Sequence, residues 1–241
     1  AWKPAVKTAS YGASGTSAPG TAGAFLDRGI SFADLGDYET AIADFTEAIS
    51  IDPNVASAYY NRGNAYRDKG EHDRAIADYT QAIRLNPNDA NAYARRGIAY
   101  GEKGEYDRAI ADFTQAIRLY PNDARAYYNR GIAYADKGEY DRAIADFSEA
   151  IRLDPNIATA YYSRGLMYHK KGEYDRAIAD YTQAIQLDPN YANAYNNRGV
   201  AYADKGEYDR EIADYEAALR IDPNYSTAKN NLEEARRARG R

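Results

Sequence analysis

Apolar and polar residues along this chain follow a helical period, and that pattern is itself repeated. In residues 124–157, ARAYYNRGIAYADKGEYDRAIADFSEAIRLDPNI, the positions Tyr140, Ala143, Ile144, Phe147, Ala150 and Ile151 keep the i, i+3, i+4, i+7 spacing of an amphipathic helix. Upstream, Tyr127, Gly131 and Tyr134 are spaced by four and three and predict a first, shorter helix. Gly138 separates the two, since glycine accepts the left-handed backbone of a helix C-terminus. Asp141 falls in the first turn of the second helix, where a negative charge suits the helix dipole. Asp154-Pro155-Asn156 ends that helix, because proline cannot continue it and disfavours helical geometry in the residue before it.

The same unit recurs without insertion. Prolines stand at Pro53, Pro87, Pro121, Pro155, Pro189 and Pro223, always 34 residues apart, and two glycine ladders beginning at Gly29 and Gly36 keep the same interval. Glycine inside a helix costs about 1 kcal/mol relative to alanine. Six of them in one slot, Gly29 to Gly199, imply a compensating close approach of two helices, with Ala143 and Ala150 as the small surfaces on the partner helix.

With slots counted from the first residue of each unit, these positions resemble the tetratricopeptide repeat family. Slot 8 is the Gly29 ladder, and slot 11 is Phe32, Tyr66, Tyr100, Tyr134, Tyr168 and Tyr202. Slot 24 is Phe45, Tyr79, Phe113, Phe147, Tyr181 and Tyr215, and slot 27 is always alanine, from Ala48 to Ala218. Slot 20 is alanine from Ala41 to Ala177 and then Glu211. A carboxylate there needs open packing or a cation from the C-terminal segment. The resemblance covers residues 22–225 and implies an all-α, right-handed α-solenoid superhelix of six helix-turn-helix repeats, at 22–55, 56–89, 90–123, 124–157, 158–191 and 192–225. Residues 226–241 read as a C-terminal capping helix, with Ala228, Leu232 and Ala235 as its apolar stripe. Residues 1–21 break the pattern and read as an extended N-terminal arm, in which Trp2, Val6 and Tyr11 are large anchors among small residues.

Charge and composition narrow the function. The net charge is −5, with +2 in residues 1–21 and +3 in residues 226–241, leaving −10 for the repeats. An acidic body opposes nucleic-acid binding, and no apolar run is long enough for membrane insertion. With 25 Tyr against 5 Phe, the expected core is thin and close to solvent. There is no Cys, and the two histidines, His72 and His169, belong to no metal-ligand spacing. His72 stands in a slot otherwise filled by tyrosine and is expected to pack as one. No phosphate loop or nucleophile elbow is present, so no cofactor, no metal and no enzymatic activity are expected. The chain begins at Ala1; proteolytic processing, an artificial boundary or partial sequencing would each account for that, and removal of a signal peptide would place the protein outside the cytoplasm, the location favoured here.

Slot 7 is commonly aliphatic in the family, yet here it is arginine throughout: Arg28, Arg62, Arg96, Arg130, Arg164 and Arg198. Slot 23 is Asp44, Asp78, Asp112, Asp146, Asp180 and Asp214. Arginine's planar fork binds a carboxylate bidentately, so the two ladders suggest a stacking register; the alternative is an exposed basic stripe for acidic ligands.

By resemblance, ligands lie along the first helices, at slots 2, 5, 9 and 12. The groove candidates are Tyr60, Asn64, Ile98, Tyr128, Ile132, Tyr162, Leu166 and Asn196. Slot 12 reads Ala33, Arg67, Gly101, Ala135, His169 and Ala203. The family's chaperone-tail binders clamp a terminal carboxylate with Lys and Asn; Asn64 matches, but Tyr60 stands where Lys is expected, so no carboxylate clamp is predicted. Two functions remain. One is a scaffold that binds an extended peptide or protein segment in its groove. The other is a self-assembling structural subunit whose partner is another copy of itself. Twenty-one extended residues reach about 70–75 Å, and six stacked repeats rise about 60 Å, so the arm could dock along a neighbouring copy.

Overall fold

The computed structural model describes residues 18–240, and among these all regular structure is helical. Each 34-residue repeat contributes two helices. These are α1 (Ala22–Asp34) and α2 (Tyr38–Ile51), α3 (Ala56–Asp68) and α4 (His72–Leu85), α5 (Ala90–Glu102) and α6 (Tyr106–Leu119). They continue as α7 (Ala124–Asp136) and α8 (Tyr140–Leu153), α9 (Ala158–Lys170) and α10 (Tyr174–Leu187), α11 (Ala192–Asp204) and α12 (Tyr208–Ile221), followed by α13 (Ser226–Arg239). The chain divides into two compact units, Ala1–Ala133 and Tyr134–Arg241.

Local chemistry fixes the element ends. Gly70 takes φ +80°, its amide donates to the Arg67 carbonyl (2.8 Å), and the Glu71 amide reaches back to Tyr66 (2.8 Å). These bonds satisfy carbonyls that the last turn of α3 would leave unpaired. At the far end of α8, Asp154 is extended (φ −139°, ψ 98°), as the residue before a proline must be, and its carboxylate accepts from the Asn156 amide (3.0 Å).

In the first unit the core is a row of slot-24 rings, Phe45, Tyr79 and Phe113, each fully buried. Burial of such a ring stabilises by about 1.5–3 kcal/mol. The slot-8 glycines lie against these rings. A Cβ at Gly63 would come 2.9 Å from Tyr79 Cε1 and 3.3 Å from the Ala75 carbonyl oxygen. The close approach is therefore to the slot-24 ring and the slot-20 backbone. The slot-27 alanine expected as a partner is not among the nearest atoms.

In the second unit the slot-24 rings Phe147 and Tyr181 are likewise buried, and Tyr215 packs with Leu232 and Ala235 of α13. The capping helix keeps the register of a first helix. Lys171 pairs with Asp141 (2.6 Å) and Lys205 with Asp175 (2.5 Å), each 30 residues back. Arg239 pairs with Asp209 (2.5 Å) at the same separation.

Candidate functional site

The arginine and aspartate ladders come together within repeats. Arg62 donates through Nε and Nη2 to Asp78 (2.8 and 2.9 Å), and Arg96 to Asp112 (2.8 Å for both). In the second unit Arg164 donates to Asp180 (2.8 Å for both) and Arg198 to Asp214 (2.7 and 2.8 Å). The remaining Nη1 reaches a hydroxyl on the preceding repeat: Arg62 to Thr46, Arg96 to Thr80, Arg130 to Thr114, Arg164 to Ser148 and Arg198 to Thr182, each 3.0 Å. Asp146 is buried in the second unit. The guanidinium of Arg62 also lies over the rings of Tyr59 and Tyr66. The hydrogen bonds that Arg62 donates to Asp78 raise its pKa above the ordinary value. The side chains of Arg62, Arg96, Arg164 and Arg198 are 16–19 % exposed, so their donors are committed to the protein rather than presented to an acidic ligand.

The groove candidates separate into two groups. Tyr60, Ile98, Tyr128 and Asn196 are buried and act in packing, because their side chains are enclosed by neighbouring helices. Tyr60 sets its ring edge on Tyr79 and accepts from Arg95 Nε (3.3 Å), while Asn196 bonds Asn197 (3.0 Å) and Asn231 (3.1 Å). Asn64, Ile132, Tyr162 and Leu166 keep partial exposure. Asn64 Oδ1 accepts the Tyr79 hydroxyl (2.8 Å), and the Tyr162 hydroxyl accepts from Asn197 Nδ2 (2.8 Å). Trp2, Val6 and Tyr11 lie outside the described residues.

Four junctions between successive first helices lie wholly inside one unit, and they fall into two kinds. In the first unit, repeats 1 and 2 enclose a pocket of about 370 Å³. Its floor is Ile30, Ala33, Tyr38, Phe45 and Ala65, and its polar lining is Asp34, Asn61, Asn64 and Asp68. Asn61 is 5 % exposed, and its Nδ2 has no hydrogen-bond partner among the described residues. At the equivalent place between repeats 2 and 3, slot 12 is Arg67 instead of Ala33. Its side chain is 11 % exposed, its Nη2 donates to Asp68 (2.6 Å), and Arg95, 4 % exposed, lies on the next first helix. Burial works against the charge on Arg67, but Tyr79, Asp68 and Glu102 outweigh it and hold its pKa above the usual value. Burial pushes the Glu102 carboxyl up, against the opposing pull of Arg67 and His72. His72 Nδ1 stands 3.2 Å from Glu102 Oε2, an ion-pair distance without hydrogen-bond geometry. His72 thus serves an electrostatic network, beyond the tyrosine-like packing expected of it.

The second unit repeats the contrast. Between repeats 5 and 6, slot 12 is His169, whose Nε2 meets Asp204 (2.8 Å) and whose ring lies 5.4 Å from Tyr174. Between repeat 6 and the cap, slot 12 is Ala203, and a pocket of about 480 Å³ opens. Glu211 lines it, 7 % exposed, with its pKa raised by burial and opposed by a hydrogen bond from Tyr215. The open packing expected around this carboxylate is present; the nearby cation, Arg239, makes its ion pair with Asp209. Sequence reasoning had the slot-12 ladder in view and missed its meaning, which depends on what faces that slot across the junction. Asn61 carried no signal of its own.

Among the described residues no group of three or more His, Cys, Asp or Glu could hold a metal ion. No described helix is long and apolar enough to cross a membrane.

Comparison with known proteins agrees with this architecture. Family models described as TPR repeat match residues 29–66, 63–104 and 165–206, and models described as tetratricopeptide repeat match 94–158, 147–179 and 192–225. No curated protein sequence matches significantly. Among solved structures, MamA is 31 % identical with a TM-score of 0.66, over 70 % of this chain and 98 % of that one. YrrB, described as a TPR protein with an unusual peptide-binding site, is 27 % identical with a TM-score of 0.66, over 78 % of this chain and 97 % of that one. The APC/C hetero-tetramer Cut9–Hcn1 is 25 % identical with a TM-score of 0.72; 90 % of this chain is covered, but it spans only 43 % of that chain. With its 34-residue sequence period unbroken and its repeats matched from 29 to 225, the chain belongs to the tetratricopeptide repeat family and has the fold of a protein-interaction scaffold.

Proposed function

We propose that this protein binds an extended peptide or protein segment along the first helices of its repeats, and that in the first unit contact centres on the pocket between repeats 1 and 2. The observation that carries this reading is Asn61. A buried amide donor without a partner costs about 1–3 kcal/mol, and this one lines an open cavity with an apolar floor. A carbonyl of a bound segment would satisfy it. The pocket sets an apolar floor beneath a predominantly polar lining, which suits a guest with a hydrocarbon stem and hydrogen-bonding groups. The peptide-binding site for which YrrB is described points the same way.

The test is selection of a displayed random-peptide library on the full chain, followed by fluorescence anisotropy of the selected peptides. Asn61→Leu is expected to leave stability intact while weakening binding about fivefold or more, the worth of one hydrogen bond. No selected peptide, or peptides indifferent to Asn61→Leu, would count against the reading.

A second reading, self-assembly, is favoured by one feature. Leu35 is 81 % exposed in a slot where the next repeats carry Lys69 and Lys103. Light scattering of the chain with and without residues 1–21 decides it. A monomer at every concentration, unchanged by the deletion, rules assembly out.

A further inference from the structure

The protein itself displays what fits the junction pockets. Between repeats 2 and 3 the space below slot 12 holds the guanidinium of Arg67, flanked by Asp68 at slot 13 of the same helix and facing Glu102 at slot 13 of the next. Between repeats 5 and 6 the corresponding space holds the imidazole of His169, with Asp204 at slot 13 of the next helix, 2.8 Å away. In both places the occupant is a basic side chain and the facing group is an acid.

Between repeats 1 and 2 both acidic positions are kept and slot 12 holds no base; Asp68 already accepts from Arg67 through Oδ1 and offers the pocket its other oxygen, whereas Asp34 is unpaired among the described residues. Asp34 stands at slot 13 where Asp68 stands next door, and Asp68 stands where Glu102 does. Asp34 is exposed and makes no ion pair among the described residues. Slot 12 is Ala33, and the cavity remains open over Ile30, Phe45 and Ala65. An apolar floor beneath acidic rims suits a long side chain with an alkyl stem and a charged head.

We infer that the pocket between repeats 1 and 2 takes an arginine side chain of the bound segment, its guanidinium facing Asp34 and Asp68 as that of Arg67 faces Asp68 and Glu102. This rests on the binding reading above and names the chemistry of the guest. Arginine is the occupant because the neighbouring pocket is filled by one, and because its planar fork serves two carboxylates at once. Asn61 Nδ2 then donates to the guest's backbone carbonyl. The pocket beside the cap is different: there Arg239 of the chain's own last helix already lines the cavity.

The test uses the full chain and three blocked pentapeptides, Ala-Ala-Xaa-Ala-Ala, with arginine, citrulline or glutamate at the centre. Binding is followed by the side-chain amide resonances of Asn61 and Asn64. The arginine peptide is expected to bind about tenfold or more tighter than the uncharged citrulline peptide at low salt. Ala33→Arg supplies the missing base internally; it should fold with an unchanged or raised unfolding midpoint and lose the arginine preference. Asp34→Asn, at an exposed and unpaired position, should fold normally and weaken the arginine peptide about threefold or more while leaving the citrulline peptide unchanged. Equal binding of arginine and citrulline peptides overturns the inference, as does an arginine preference that survives Asp34→Asn or survives in folded Ala33→Arg. Library peptides that bind through Asn61 but carry no basic residue would likewise overturn it and leave the broader binding reading standing, whereas failure of every peptide would remove both.

Discussion

The junction between repeats 1 and 2 and the junction between repeats 2 and 3 have the same frame. Their first helices, α1, α3 and α5, are each 13 residues long, and their turns close on Gly36, Gly70 and Gly104 with φ between 77° and 80°. The frame encloses a cavity in one case and a buried polar network in the other. The difference is Ala33 against Arg67, together with Asn61 against Arg95 on the facing helix. In this scaffold the 34-residue period builds the walls of a site. The side chains at slot 12 and at slot 6 of the facing helix decide whether the site is spent on the protein's own stability or left for a partner.

The largest effect should come from emptying the filled junction. Arg67→Ala would leave Asp68 and Glu102 without their cation in a place where burial already raises the Glu102 pKa. Removing one partner of a largely buried pair costs about 2–4 kcal/mol, read from chemical denaturation. The reciprocal change, Ala33→Arg, should cost nothing. A loss below about 1 kcal/mol for Arg67→Ala would mean that Arg67 is a solvated surface charge, and the contrast between the two junctions would collapse.

How much of this was legible beforehand depends on the kind of contact. Helix positions were plain, because they follow from local rules: a glycine in left-handed geometry at Gly70, an extended residue before Pro155, and apolar spacing between them. The pairing of Arg62 with Asp78 was also legible, since both ladders share one period and only arginine offers two parallel donors. The groove was not. Tyr60 and Ile98 were assigned to a ligand-facing surface by slot number, but both are buried, because neighbouring helices enclose them. Glu102 and Asn61 escaped notice for a related reason. Each acquires meaning only from a side chain on the preceding first helix, Arg67 for Glu102 and Ala33 for Asn61, and the identity of that side chain changes from repeat to repeat.

Two tyrosines at slot 24 sharpen the comparison at smaller scale. Tyr79 donates its hydroxyl to Asn64 at slot 9 of the same repeat (2.8 Å). Tyr181 is equally buried, but its slot-9 residue is Leu166, and its hydroxyl has no partner among the described residues. Tyr79→Phe should therefore destabilise by about 1 kcal/mol, and Tyr181→Phe should stabilise by up to about 1 kcal/mol. Equal shifts of the same sign in paired denaturation curves would show that slot 9 does not govern the polarity beneath slot 24.

The smallest effect concerns the open pocket beside the cap. Slot 20 is fully buried alanine at Ala41, Ala75, Ala109, Ala143 and Ala177, and Glu211 breaks that run. Burial raises the Glu211 pKa against the hydrogen bond from Tyr215. A carboxyl whose folded pKa lies above its unfolded value binds its proton more tightly in the folded state. Its contribution is most favourable below the unfolded pKa and is lost as pH rises through the folded pKa. Glu211→Gln keeps an oxygen for Tyr215 and removes the charge. It is expected to raise the unfolding midpoint by about 1–2 °C at pH 7, with the gain fading as the pH falls to about 4, where the carboxyl of the parent is itself protonated. A gain that persisted unchanged at acid pH would trace the effect to packing, and the cavity over Ala203 would then tolerate the carboxylate at no cost in charge burial.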